Sequence, residues 1–100
     1  MAIIRKNSIF KYNVQGWGKD KYIEITGFDN STSSPIIPAY INDIPVKSIG
    51  SYAFHKSEIT SIQLPDTLEK IKYCAFSFSN NLKSISFPDS VQDIQREVCA

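Results

Sequence analysis

The sequence predicts a mainly β fold: a short solenoid of about three 22–27 residue repeats behind an N-terminal β-hairpin cap. Three observations carry this. Ile59, Ile62, Leu64, Pro65, Asp66, Thr67, Leu68 and Ile71 are answered 23 residues on by Leu82, Ile85, Phe87, Pro88, Asp89, Ser90, Val91 and Ile94. Ile49-x-x-x-Ala53-Phe54 is answered 22 residues on by Ile71-x-x-x-Ala75-Phe76, and more weakly by Ile94-x-x-x-Val98-Cys99. Ahead of the repeats lie two alternating, aromatic-rich runs separated by a glycine turn. A fixed period of this length marks stacked units, none of which buries its apolar face alone.

The elements follow in order. Residues 1–8 read as a frayed lead-in. Ile9–Val14 alternates as a half-buried strand does, Gln15–Asp20 holds the two glycines of a turn, and Tyr22–Phe28 returns as the second strand. Asp29–Ser34 is a polar loop. Ile37-Pro38 matches Leu64-Pro65 at an offset of 27, so the first repeat is longer, its extra residues falling near Asn42–Pro45. Each later repeat has an outward part, Ile59–Leu64 or Leu82–Phe87, read as a short strand closed by proline, which has no N–H to extend a ladder. The return part places Leu68, Ile71 and Ala75 at i, i+3, i+7. That spacing allows a helical turn, but Ile71–Phe76 is β-prone, so short strand or 3₁₀ pieces are expected. Ala53 and Ala75 suit a close approach of two walls, and Phe54 and Phe76 are expected to stack through the core. Residues 1–30 are therefore assigned to lead-in and capping hairpin, and residues 31–100 to the solenoid, within one domain.

Composition bounds the function. One hundred residues suffice for one modest core. Eleven basic and ten acidic residues, scattered along the chain, give no clustered footprint for nucleic acid or a membrane surface. No apolar run is long enough to span a bilayer, and Met1–Phe10 is not an intact signal peptide. No cofactor and no metal site is expected. Cys74 and Cys99 make no disulfide framework, and Cys99 lies two residues out of register with Cys74, which argues against a bridge. Asp66 and Asp89 are turn residues, too few for a Ca²⁺ shell. His55 reads as an exposed turn histidine; Cys74 is the one tempting partner for cysteine–histidine chemistry.

The candidate binding residues are Ser61, Gln63, Ser84 and Ser86 on the outward face of the strand ladder, with Thr60 and Lys83 beside them, and Trp17 at the hairpin tip. Trp17 either anchors a partner or folds back across Tyr12 or Tyr22. Three rungs about 4.8 Å apart, each about four residues long, present roughly 200 Å². A standard interface takes about 800 Å² per partner, so loops, hairpin or further repeats must contribute.

Ile49-Gly50-Ser51-Tyr52-Ala53-Phe54, followed by Ile62-x-Leu64-Pro65-Asp66-Thr67-Leu68-x-x-Ile71, resembles the BspA-like bacterial leucine-rich repeat. Ile25-Thr26-Gly27-Phe28 and Ile37-Pro38-x-x-Ile41-Asn42-Asp43-Ile44-Pro45-Val46-x-x-Ile49 are similar to its entry and first-repeat forms. The likeness runs from about Tyr22 to Val98. It implies a leucine-rich-repeat solenoid of stacked short strands, and a surface-exposed or secreted, non-catalytic module that binds a protein of a host or neighbouring cell. The family usually carries a cysteine three residues after the phenylalanine; here Ser57 and Ser79 stand there. The last repeat ends without its phenylalanine or an evident cap. This leaves open self-association through Ile94, Val98 and Cys99 as an assembly role, and a carbohydrate-binding role resting on Trp17 and the tyrosines.

Overall fold

The computed structural model describes residues 9–83, 85–91 and 93–94, the last two by backbone alone. Among these residues there are six strands: β1 (Phe10–Gln15), β2 (Tyr22–Phe28), β3 (Tyr40–Ile41), β4 (Ile44–Ile49), β5 (Lys70–Ile71) and β6 (Asp93–Ile94). β1 and β2 form the expected antiparallel hairpin, with a bulge between Lys11 and Tyr12. β2, β4, β5 and β6 then pair in parallel, each one period after the last: Ile25 opposite Ile49, Ile49 opposite Ile71, Ile71 opposite Ile94.

The regular strands therefore lie on the return part of each repeat, where strand and helical turn were both open. Among the described residues, the outward part, read as a strand over Ile59–Leu64, carries only the isolated parallel bridge Ile36–Gln63 and scattered backbone bonds. Prolines explain the difference. Pro35, Pro38, Pro65 and Pro88 flank this part and remove the N–H groups a longer ladder would use. The extra residues of the first repeat form a tight hairpin, β3 against β4. Asn42 and Asp43 turn it with φ of 53° and 67°, the paired left-handed conformation of a type I′ turn, for which both residue types are favoured.

The turns that follow β4 and β5 are copies of each other. The amides of Ala53, His55 and Ser57 donate to Gly50, Tyr52 and Phe54 carbonyls, and those of Ala75, Ser77 and Ser79 to Lys72, Cys74 and Phe76. Tyr52 and Lys56 take left-handed φ, as do Cys74 and Phe78 22 residues later. The copies are stitched together by Phe54 N–H to Ala75 O at 2.7 Å and Lys56 N–H to Ser77 O at 2.8 Å. Ser57 and Ser79 meet Oγ to Oγ at 2.9 Å, and the Ser79 hydroxyl donates to Phe54 O at 2.7 Å. One serine pair thus stitches this wall of the turns together.

Between the walls lies the core, built from Ile23, Ile25, Ile37, Val46, Ile49, Phe54, Ile59, Ile62, Leu68 and Ile71. Phe54 and Phe76 stack as expected, centroids 5.3 Å apart and nearly parallel. Phe28 and Phe10 continue the column from the hairpin, 5.4 and 6.4 Å from Phe54. Cys74 is buried and disulfide-bonded. Cys99, the chain's other cysteine, lies outside the described residues. The register reading against a bridge assumed that the chain after β6 copies the path after β5, and a disulfide at Cys74 needs no such copy.

One buried charge sits inside the sheet. Glu24, 7% exposed, is gripped by Lys72 Nζ at 3.2 Å from each carboxylate oxygen. The Lys72 side chain is 35% exposed, which weakens the pair, but removing the cation strands a buried carboxylate. Lys72→Met is expected to cost about 1–2 kcal/mol, and Glu24→Gln, which keeps an acceptor, less than about 1 kcal/mol. Urea unfolding of the two variants checks the order; equal losses would mean the charge itself is immaterial.

Candidate functional site

The outward parts of successive repeats lie side by side. Ser33 O accepts the Thr60 N–H at 2.7 Å, and Pro35 O accepts the Gln63 N–H at 3.1 Å. Ile37 N–H donates to Gln63 O at 3.0 Å, and Lys83 N–H to Thr60 O at 3.4 Å. These bonds hold the parts at offsets of 27 and 23, the spacings read from the sequence. Ile59 and Ile62 turn into the core, while Thr60, Ser61 and Gln63 face outward.

Ser61 and Gln63 are thereby brought together, as expected, and Ser86 and Lys83 are exposed on the next repeat. Ser84 lies outside the described residues. Trp17 does not fold back. It is 87% exposed, set between Gly16 and Gly18 in a 3₁₀ turn (Gly18–Asp20) at the hairpin tip. Gly16 is required there: its φ is +85°, and a Cβ would meet Asp20 O at 3.0 Å. Trp17 sits on a different element from the Ser61–Gln63 segment.

A residue that periodicity passed over completes the face. Ile36, aligned with Gln63 by the parallel bridge, is 66% exposed. With Ser34, Pro35, Ser61, Ile62 and Gln63 it lines a cleft of about 370 Å³. The signal was present: an offset of 27 maps Ile36 onto Gln63 and Ser34 onto Ser61. The cleft holds hydroxyls, a carboxamide and an aliphatic wall, and no ionisable side chain. It can exchange hydrogen bonds and bury an apolar group; it has no acid or base for proton transfer.

The other sequence candidates resolve differently. His55 is half-buried, not exposed, and its Nδ1 is 2.5 Å from Ser77 Oγ, so Cys74 is not its partner. Asp66 is an exposed turn residue beside the Pro65 O to Leu68 N–H bond. Among the described residues, no three His, Cys, Asp or Glu side chains converge as metal ligands, and no helix is long and apolar enough to cross a membrane.

Parallel rungs one period apart, with matching turns, define a repeat protein. A family model described as the BspA type leucine rich repeat region (6 copies) matches residues 47–100. The chain belongs to this BspA-type leucine-rich-repeat family. Solved structures agree on the fold. A leucine-rich repeat protein from Bacteroides capillosus superposes with a TM-score of 0.74 at 21% identity, over 93% of this chain and 87% of that one. One from Bacteroides ovatus gives 0.70 at 28% identity over 85% of this chain, and the T. pallidum leucine rich repeat protein 0.58 at 26% over 90%. The matches span only 24% and 52% of those two longer chains. No curated protein matches the sequence.

Proposed function

We propose that this chain is a non-catalytic protein-interaction module of a bacterial surface protein of adhesin type, its partner a protein of a host or neighbouring cell. In this reading residues 31–100 form a leucine-rich-repeat solenoid of about three 22–27 residue repeats. Residues 1–30 serve as its N-terminal cap, a role supported by Phe10 and Phe28 covering Phe54. The observation that carries the binding role is the uncharged outward cleft, where exposed Ile36 stands beside Ser61 and Gln63. An aliphatic group ringed by neutral donors and acceptors suits a protein surface, the apolar contact supplying affinity and the polar rim orientation. Ser86 extends this face toward the next repeat, and exposed Trp17 offers a second anchor. Together these enlarge a contact that one rung is too small to make.

The test is capture of purified extracellular-matrix proteins by the chain and by an Ile36→Asp/Ser61→Arg variant. Both positions are exposed, so stability should change by less than about 0.5 kcal/mol for each. Affinity should fall by about tenfold or more. Undiminished capture would move the site to Trp17 and the loops. Capture by neither protein would favour an assembly role, read out by mass in solution.

A further inference from the structure

Beyond the protein-binding face, a second cleft of about 400 Å³ opens between the ends of the two stacked turns, lined by Lys56, Ser57, Glu58, Phe78, Asn80 and Asn81. We propose that it is a binding site for a neutral saccharide chain. Phe78 is the first ground. It is 52% exposed and takes the left-handed φ of 57° that Lys56 takes at the same place in the preceding turn. Folding does not call for a phenylalanine there, since the ring is half in water and glycine would take the backbone without strain. The ring is nevertheless fixed. His55 meets it edge-on at 5.6 Å, and His55 is itself held by Ser77 Oγ and by the edge of Tyr52 at 5.3 Å. The backbone conformation belongs to the repeated turn, so it is the fixed, exposed ring, standing where the preceding turn carries Lys56, that points toward a ligand.

The rest of the cleft sets the ligand's chemistry. Asn80 and Asn81 each offer a donor and an acceptor, the pair that a sugar's vicinal hydroxyls answer. Neither carboxamide, nor the Lys56 ammonium or the Glu58 carboxylate, has a side-chain partner among the described residues. The two opposite charges disfavour a ligand of either sign. The volume is that of a small-molecule site, yet the lining is mostly polar where such sites are usually apolar. An exposed aromatic ring with a polar rim of donors and acceptors whose two charges are opposite matches a pyranose, which shows C–H groups on one face and hydroxyls around its edge.

Saturation-transfer NMR with cellotriose, maltotriose, chitotriose and mannotriose, each at about 10 mM, tests this at the weak affinities expected of a shallow site. Transfer should reach the ring C–H protons of at least one sugar. Affinity should fall by about tenfold or more in Phe78→Gly and in Asn80→Ala/Asn81→Ala. Phe78→Gly relieves the left-handed backbone, so its urea midpoint should not drop, and lost binding cannot then be lost folding. No transfer to any of the four, undiminished transfer in Phe78→Gly, or transfer lost only in Trp17→Ala would each overturn the assignment.

Discussion

Phe54→Ala is expected to remove about 4 kcal/mol of unfolding free energy, the middle of the range for truncating a buried phenylalanine. Phe54 is 1% exposed and is the ring through which the column of aromatics is continuous. Phe28 and Phe10 reach it from the hairpin, and Phe76 stacks on it from the next turn at 5.3 Å. The cavity cannot close easily. Phe28 is carried by β2, whose neighbours Ile23 and Ile25 are locked in pairing with β4, and the Phe54 amide is bonded to Ala75 O. A domain of this size has about 5–15 kcal/mol in all, so the variant should sit near its threshold. The sign of this in urea is a large drop in midpoint; a fall in slope as well would mean that the hairpin detaches separately. A loss below about 1.5 kcal/mol would show that hairpin and repeats do not share one cooperative core.

The Phe54–Phe76 step of this column was legible in the sequence, because it follows from an offset between two phenylalanines and needs no knowledge of strand or helix; the Phe10 and Phe28 steps were not. The lengthened first repeat was legible for the same reason: Ile37-Pro38 and Leu64-Pro65 fix its two ends, and Asn42-Asp43 marks where the surplus turns. What periodicity left open was the secondary structure of each wall. Leu68, Ile71 and Ala75 suit a helical turn as well as a strand followed by a turn, and only pairing across repeats decides, through Ile49 beside Ile71. The left-handed turn positions were invisible, because Tyr52 and Phe78 are not residue types that announce them. For the site, the exposed polar positions came directly from the period, while Ile36 was passed over because the first repeat is out of step with the rest. Trp17 left two readings that only the fold separates, its side chain being 87% exposed.

Gly50 was read only as part of a repeat motif, and the sequence gives no hint that it is indispensable; Gly50→Ala is expected to cost about 2–3 kcal/mol, the upper part of the range for forcing atoms into a filled site. The requirement is space, not backbone freedom, since Gly50 is not at a positive φ. A Cβ would stand 2.6 Å from Glu24 Oε2 and 3.2 Å from Ile25 O. Two escapes exist, and both are costly. Glu24 can swing away, which gives up Lys72 and leaves a carboxylate buried without its counter-ion. Alternatively β2 and β4 can separate, which strains the Gly50 N–H to Ile25 O bond of 2.8 Å beside the fully buried Ile25 and Ile49. A double-mutant cycle tells them apart. If the carboxylate is the obstacle, Gly50→Ala introduced into a Glu24→Ala background should cost less than about half as much as in the parent chain. An equal cost in both backgrounds would place the obstacle at the Ile25 carbonyl, and the spacing of β2 and β4 would then be set by backbone rather than by the Glu24 carboxylate.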